Sequence, residues 1–384
     1  MPFNGNQFVP VAGAESAAPG QILQSATWNA IFTDMAAAFT QLATQANTTP
    51  TWSNILAPNG GFAIWQRGAG GAASFSVNAS TTQYTADRWY IITGANQASV
   101  VAQTTGLTSA APPAHACKIT RTAAQTGITA YTFGYPLTAD EVYRLRGQQV
   151  SFSGAAKAGA NWSPALGAFT INFYVGTGTA QKAGAAGANF SGLSTPLTIT
   201  TDLAAGATNT AITGTSAAIV PVTSTQGEIQ VTWTPVGTAG TDDSITLDQF
   251  CLVAGAIVQS FEDIPFDLSL RECKRFYRKS FPYGVAPAQN AGLPGALGVK
   301  ASAAAAGLSI YVNFEPVEMI ATAAVTTFNP SGASGTWLDN TAGTSVASSI
   351  DTTAISGKGV LITAATVTAA NDILYIQYAA DSGL

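Results

Sequence analysis

Pro58-Asn-Gly-Gly-Phe-Ala-Ile-Trp-Gln-Arg-Gly68, a Gly/Ala/Ser spacer, and then Tyr84-Thr-Ala-Asp-Arg-Trp-Tyr90 decide how the whole chain reads. No cluster of acid, base and nucleophile sits there, so the stretch is an architectural signature rather than a catalytic one. Asn59-Gly60-Gly61 supplies a turn, and the alternation around Phe62 and Ile64 predicts a first β-strand buried on one face. Asp87, Arg88 and Trp89 are expected to open the next strand. Downstream, runs at 98–103, 116–121, 128–136, 149–155, 169–175, 197–201, 229–233 and 244–253 alternate or are apolar, with Gly-rich turns between them. That rhythm describes a β-sandwich.

Composition narrows the class. Charged residues are 9% of the 384, against the roughly one quarter usual in soluble domains, while hydrophobic residues are 47%. Disordered chains are charge-rich and apolar-poor, so disorder is the wrong explanation. A net charge of −5, thinly spread, gives no electrostatic footprint for nucleic acid. Cys117, Cys251 and Cys273 are odd in number and widely spaced, and read as buried thiols. No segment reaches the roughly 18 consecutive apolar residues of a membrane span. Met-Pro-Phe-Asn-Gly at the start offers no basic region before an apolar core, so no signal peptide is expected.

Ahead of the sandwich, Ser25 or Thr27 can cap a helix running to about Gln45. Trp28, Ile31, Met35, Ala38 and Leu42 follow a three-four spacing, and Phe32 and Phe39 widen the stripe. Only Asp34 is charged, so self-association, as a homotrimeric bundle, is the expected way to bury it; docking on the downstream domain is the competing reading. Residues 47–54 are a Thr/Pro-rich linker. Behind the sandwich, Asp267 or Ser269 can cap a short helix through Arg278. Five of the 15 basic residues, Arg271, Lys274, Arg275, Arg278 and Lys279, fall there. A solvated or salt-bridged helix is the expectation, not nucleic-acid binding. The last hundred residues predict a second β-rich unit, with strands at 310–314, 323–328, 359–363 and 373–378.

The paired motifs at 58–68 and 84–90 resemble the opening of jelly-roll domains in phage fibre and spike proteins. Those are similar to carbohydrate-binding modules that begin with an Asn-Gly-x-Phe turn and close on a strand with an Asp among apolar residues. Asp242-Asp-Ser-Ile-Thr-Leu-Asp248-Gln-Phe-Cys-Leu-Val-Ala-Gly255 stands in that closing place. Residues 137–147 resemble the turn or single helical turn such modules place before a central strand. Val9-Pro-Val-Ala-Gly13, then Pro19-Gly-Gln-Ile-Leu-Gln-Ser-Ala-Thr-Trp28-Asn29-Ala-Ile-Phe-Thr-Asp34, is similar to the start of many phage tail-fibre proteins. Leu270-Arg-Glu-Cys273-Lys-Arg-Phe276-Tyr277 resembles their Leu-x-x-Cys-x-Arg-Tyr-Tyr signature, with Phe276 replacing one Tyr. Pro316, Met319 and Thr322, and the closing Tyr378-Ala-Ala-Asp381-Ser-Gly-Leu384, match further family patterns. The resemblance implies particle attachment through residues 1–45, receptor contact further on, and room for a structural calcium near Asn59 and Asp248.

Catalytic machinery is not advertised. His115 is the sole histidine, so Ser-His-Asp, Cys-His and multi-histidine metal sites lack partners. A glycosidase needs two carboxylates about 5 to 9.5 Å apart. Asp140 with Glu141, Asp242 with Asp243, and Glu262 with Asp263 are neighbours, better suited to turns and caps. Sugar recognition is expected on aromatic platforms, with Trp162, Trp337 and Tyr283 as candidates in loop-like contexts.

The sequence therefore predicts a mainly β protein: an attachment segment and oligomerisation helix at 1–54, a jelly-roll at 55–260, a connecting basic helix at 261–283 and a smaller β domain at 284–384. The expected function is a non-enzymatic fibre or spike on the exterior of a phage or phage-like virion. It would contact other virion proteins through its N-terminus and host surface polysaccharide through its β domains. Neither a cofactor nor a metal is expected beyond that calcium, and neither nucleic acid nor membrane insertion. A capsid head-fibre or decoration protein, and a polysaccharide depolymerase, are the alternatives.

Overall fold

The computed structural model describes residues 3–4, 7–8, 33–37, 54–68, 73–107, 115–206, 208–303, 307–332, 334–365 and 369–384. The chain divides into two compact units, Met1–Ser53 and Asn54–Leu384. In the first, β1 (Phe3–Asn4) pairs antiparallel with β2 (Gln7–Phe8). Residues 33–37 are helical, and Met35 is exposed. The rest of the expected stripe, Trp28, Ile31, Phe32, Phe39 and Leu42, lies outside the described residues.

The second unit is mainly β. One six-stranded sheet runs β11 (Ser191–Asp202), β10 (Ala168–Thr177), β13 (Gln226–Trp233), β8 (Tyr131–Leu137), β5 (Tyr90–Ile92), β4 (Thr82–Tyr84). Its partner runs β12 (Thr210–Thr215), β9 (Val150–Ala158), β14 (Ser244–Ala254), β7 (His115–Arg121), β6 (Ser99–Thr105), β3 (Ser74–Val77). The chain crosses between sheets repeatedly, as at β5 to β6, β7 to β8 and β13 to β14, which gives a jelly-roll type of sandwich. Period-two alternation does the sorting: Cys117 and Ile119 are buried while Lys118 between them is not. Each of the eight expected runs falls on one of these strands. The Ser/Thr-rich edge strands β3, β4 and β12 lacked an apolar run and were not predicted.

The opening stretch is not a strand. Phe62 takes a positive φ of 54°, and residues 54–68 form turns and extended links. Close approach explains this: Phe250 N donates to Gly60 O at 3.0 Å, and a side chain at Gly60 would strike the Phe250 carbonyl. The turn drives Phe62 into the aromatic core, 5.1 Å from the Trp89 ring and 5.7 Å from Phe250. Trp89 stacks on Phe133 at 4.9 Å. Residues 137–147 contain the helical turn α1 (Ala139–Tyr143), held by a capping box between Thr138 and Glu141.

After the sandwich comes α2 (Phe266–Cys273), preceded by Pro265 rather than capped by Asp267 or Ser269. It stops short of Arg278 because β15 (Tyr277–Lys279) leaves to pair with β23 (Ile373–Asp381). β23 also pairs with β16 (Leu297–Lys300), β18 (Ala324–Phe328) and β19 (Trp337–Asp339), which continues to β20 (Thr344–Val346). A second, three-stranded sheet orders β17 (Leu308–Asn313), β22 (Gly359–Ala364) and β21 (Ser348–Ser356). Phe314, Trp337, Ile362, Leu374 and Ile376 are among the residues of a second core, to which both of these sheets contribute.

The motifs that are distant in sequence meet in space. Asp87 accepts from Gln66 N at 2.6 Å, and Gln66 Nε2 reaches the Tyr277 carbonyl at 3.0 Å. Arg67 lies over the Tyr277 ring at 4.0 Å and pairs with Asp381 at 2.7 Å. Arg88 lies over Phe276 at 4.1 Å and binds both oxygens of Glu141, at 2.6 and 2.8 Å. Burial opposes ionisation of Glu141, but Arg88 and Thr138 outweigh it and hold its pKa below the usual carboxylate value. The 58–90 signature is thus a seam joining sandwich, α2 and β23.

Candidate functional site: a polar groove on the outer sheet face

A groove of about 560 Å³ opens on the sheet formed by β9, β14, β7 and β6, at one end of those strands. Its lining comes from 104–107, Lys118, 157–160, Gly206, Asn209, Asp242, Ser244 and Thr246. Strand register aligns its floor: Thr246 on β14 stands opposite Lys157 on β9 and Lys118 on β7, and Lys118 stands opposite Ala102 on β6. Ala156, Ala158, Cys117 and Ile119 turn inward and are buried, which sends both lysines outward.

Asp242 accepts from Lys118 Nζ at 2.8 Å, Ser244 Oγ at 2.8 Å and Ala160 N at 3.0 Å. Burial alone would raise its pKa, but these donors outweigh it and hold it at about 2. It is the sole carboxylate among the described lining residues. A carboxylate that stays ionised across the ordinary pH range is a poor general acid. Leu107 N donates to Asp248 Oδ2 at 2.6 Å, and Asn209 donates to the Leu107 carbonyl, fixing the 104–107 rim.

The expected aromatic platforms are elsewhere and differently used. Trp337 is fully buried in β19, its indole N–H donating to Thr363 O at 3.0 Å. Trp162 is also buried, 6.0 Å from Trp233, with its N–H on Gly167 O at 3.0 Å. Neither offers a face to a sugar; Trp162 instead backs the 159–163 turn beside the groove, its N donating to Gly159 O at 3.2 Å. Tyr283 is half-buried, its hydroxyl accepting from Trp65 N at 2.9 Å and donating to Ala63 O at 3.1 Å. It pins the opening stretch. These three residues are not brought together.

The oxygens of Asn59, expected near a calcium ion, already accept hydrogen bonds. Its Oδ1 accepts from Ile64 N at 2.9 Å, and its carbonyl accepts the Trp89 indole N–H at 2.9 Å. Among the described residues, no group of three or more His, Cys, Asp and Glu could hold a metal. The basic cluster divides too. Arg278 is buried with Nε on Lys274 O at 3.0 Å, and Lys279 Nζ donates to the carbonyls of Tyr283 and Val285 at 2.8 and 2.7 Å. The three cysteines are buried and free, as expected. The neighbouring carboxylates serve structure: Asp243 pairs with Arg121 at 3.2 Å and accepts from Ser163, while Glu141 closes the α1 cap.

The sequence reading missed the groove residues Lys118 and Lys157. Each is a lone lysine inside an alternating strand, a legible sign that it faces outward. That β14 would set them in one row was not legible, since register between distant strands is not local information.

No protein-family model matches the sequence, and no curated protein matches it. Several solved structures are similar in fold. The enzymatically active domain of tailspike protein 4 of bacteriophage CBA120 aligns over 54% of this chain and 22% of its own, at 8% identity and a TM-score of 0.31. A xylan-binding domain of carbohydrate-binding module family 22 aligns over 48% of this chain and 99% of its own, at 11% identity and a TM-score of 0.28. The Stig cyclase Fisc from Fischerella sp. TAU aligns over 53% and 98%, at 12% identity and a TM-score of 0.30. At these scores the likenesses carry no functional argument. That weight falls on the groove.

Proposed function

We propose that this chain is a non-enzymatic carbohydrate-binding protein, a fibre or spike on the exterior of a phage or phage-like particle, and that it holds host surface polysaccharide in the outer-sheet groove. The observation that carries this is the groove itself: about 560 Å³, lined by hydroxyl, amide and amine groups, and open along a sheet face. An extended polymer of hydroxyl-bearing rings suits such a surface, because each ring offers donors and acceptors to the side chains of a flat row. A pinned Asp242, ionised across the ordinary pH range, supports binding without cleavage. Particle attachment through the N-terminal unit, and assembly as a homotrimer, complete the proposal; several weak grooves on one particle would raise the overall affinity by orders of magnitude.

The test is retention of the full chain on immobilised polysaccharides purified from bacterial surfaces, with the supernatant assayed for reducing ends and unsaturated sugars. Retention without sugar release is expected. Sugar release would replace this reading with the depolymerase one, and failure to be retained on any polysaccharide would end it.

A further inference from the structure

We infer that the groove selects acidic polysaccharide, holding a uronate or comparable sugar carboxylate between Lys157 and Lys118; this rests on the carbohydrate-binding reading above. The row Lys157, Thr246, Lys118 crosses three adjacent strands in register. With strands about 4.8 Å apart, the two lysine Cα atoms stand about 10 Å apart, with a hydroxyl between them. Four-carbon stems let both ammonium groups converge on one anionic group or reach two successive ones.

The charge balance favours an anion. Lys157 is exposed, and among the described residues no carboxylate lies within ion-pair distance of it. Lys118 does have a partner, Asp242, but that carboxylate also holds Ser244 Oγ and Ala160 N. Lys118 carries three N–H donors and needs one for Asp242. Among its described lining residues the groove therefore presents two cations against one carboxylate, in a chain whose net charge is −5.

Shape points the same way. Gly106, Gly159, Ala160 and Gly206 contribute only small groups to the lining, and no aromatic ring stands among its described residues. Neutral sugars bound without a stacking platform must rely on hydrogen bonds that merely replace those to water, each worth little net. A carboxylate met by two ammonium groups gains charge-assisted bonds, which are about twice as strong as neutral ones.

The experiment is affinity electrophoresis of the full chain at low salt through gels containing alginate, hyaluronan, neutral dextran or poly(dT), with Lys157→Gln and Lys118→Gln beside it. Lys300→Gln, an exposed lysine on β16, serves as the control. Retardation by alginate or hyaluronan but not dextran is expected, weakened about five- to tenfold by Lys157→Gln, largely lost at 0.5 M salt, and unchanged by Lys300→Gln. Dextran retardation equal to alginate, indifferent to both groove variants, would overturn acid selectivity and leave carbohydrate binding standing. Stronger retardation by poly(dT) through the same lysines would make the groove a nucleic-acid site and overturn the inference. No retardation by any polymer would remove this inference and the binding reading together.

Discussion

Arg88 meets Glu141 at 2.6 Å with its side chain 1% exposed, whereas Lys118 meets Asp242 at 2.8 Å with both side chains 38% exposed. The chemical pairing is alike, and the surroundings give it opposite uses. In the seam, a rigid guanidinium binds both oxygens of its partner and is sandwiched by Tyr135 at 4.2 Å and Phe276 at 4.1 Å. In the groove a flexible ammonium shares its partner with two other donors, and water reaches both members of the ion pair. Buried charge in the seam holds architecture, and the exposed pair in the groove is the one proposed to meet a ligand.

The sharpest way to break that contrast is to cut each pair. Arg88→Met leaves Glu141 buried and unpaired, and is expected to lower unfolding free energy by about 3–5 kcal/mol, read from denaturant midpoints. Adding Glu141→Leu should restore much of it; an unstable double variant would show that the pair contributes more than its own desolvation demands.

A buried carboxylate with no cation within ion-pair distance among the described residues sharpens the comparison next. Glu228 on β13 accepts from Tyr90 Oη at 2.5 Å, Gln230 Nε2 at 2.6 Å and Ala183 N at 2.7 Å, and burial raises its pKa from 4.5 to about 7. Because the folded value lies above the unfolded one, the stability it adds is full below about pH 4.5 and is lost as pH rises through about 7. The loss should be on the order of 3 kcal/mol between pH 4.5 and 8. Glu228→Gln should flatten that slope, with the Gln230 amide turning to suit; an unchanged slope would assign the dependence to another group.

Asp242 has the opposite sign and the smallest effect. Its folded pKa of about 2 lies below the ordinary 3.8, so its stabilisation is present above about pH 3.8 and fades as pH falls toward 2. Exposure screens it, and Asp242→Asn should cost no more than about 1 kcal/mol at pH 7. A cost as large as that of Arg88→Met would erase the distinction between seam and groove. For the N-terminal unit, light scattering should give three times the chain mass for the full chain and one for a chain beginning at Asn54. One mass for both would leave self-association without support.

What the sequence disclosed follows the same division. Periodicity is local, so the eight central runs were legible, and so was the 137–147 turn, whose Thr138 and Glu141 sit at capping spacing. The role of Phe62 was not: its alternation with Ile64 reads as a strand, and only the approach of Phe250, far along the chain, turns it. Trp337 and Trp162 looked like loop indoles because Gly, Asn and Pro flank them; burial came from β22 and from Trp233, which those flanks do not announce. Lys118 and Lys157 were visible as outward lysines, while their common row depends on β14 pairing with both neighbours.

Hydrogen–deuterium exchange of the full chain, with and without a saturating acidic oligosaccharide such as an alginate hexamer, tests the central claim most directly. Slower exchange confined to 104–107, 157–160 and 242–246 is the expected result. Bound oligosaccharide that leaves those segments unchanged and instead protects the sheets built on β23 or β22 would contradict it.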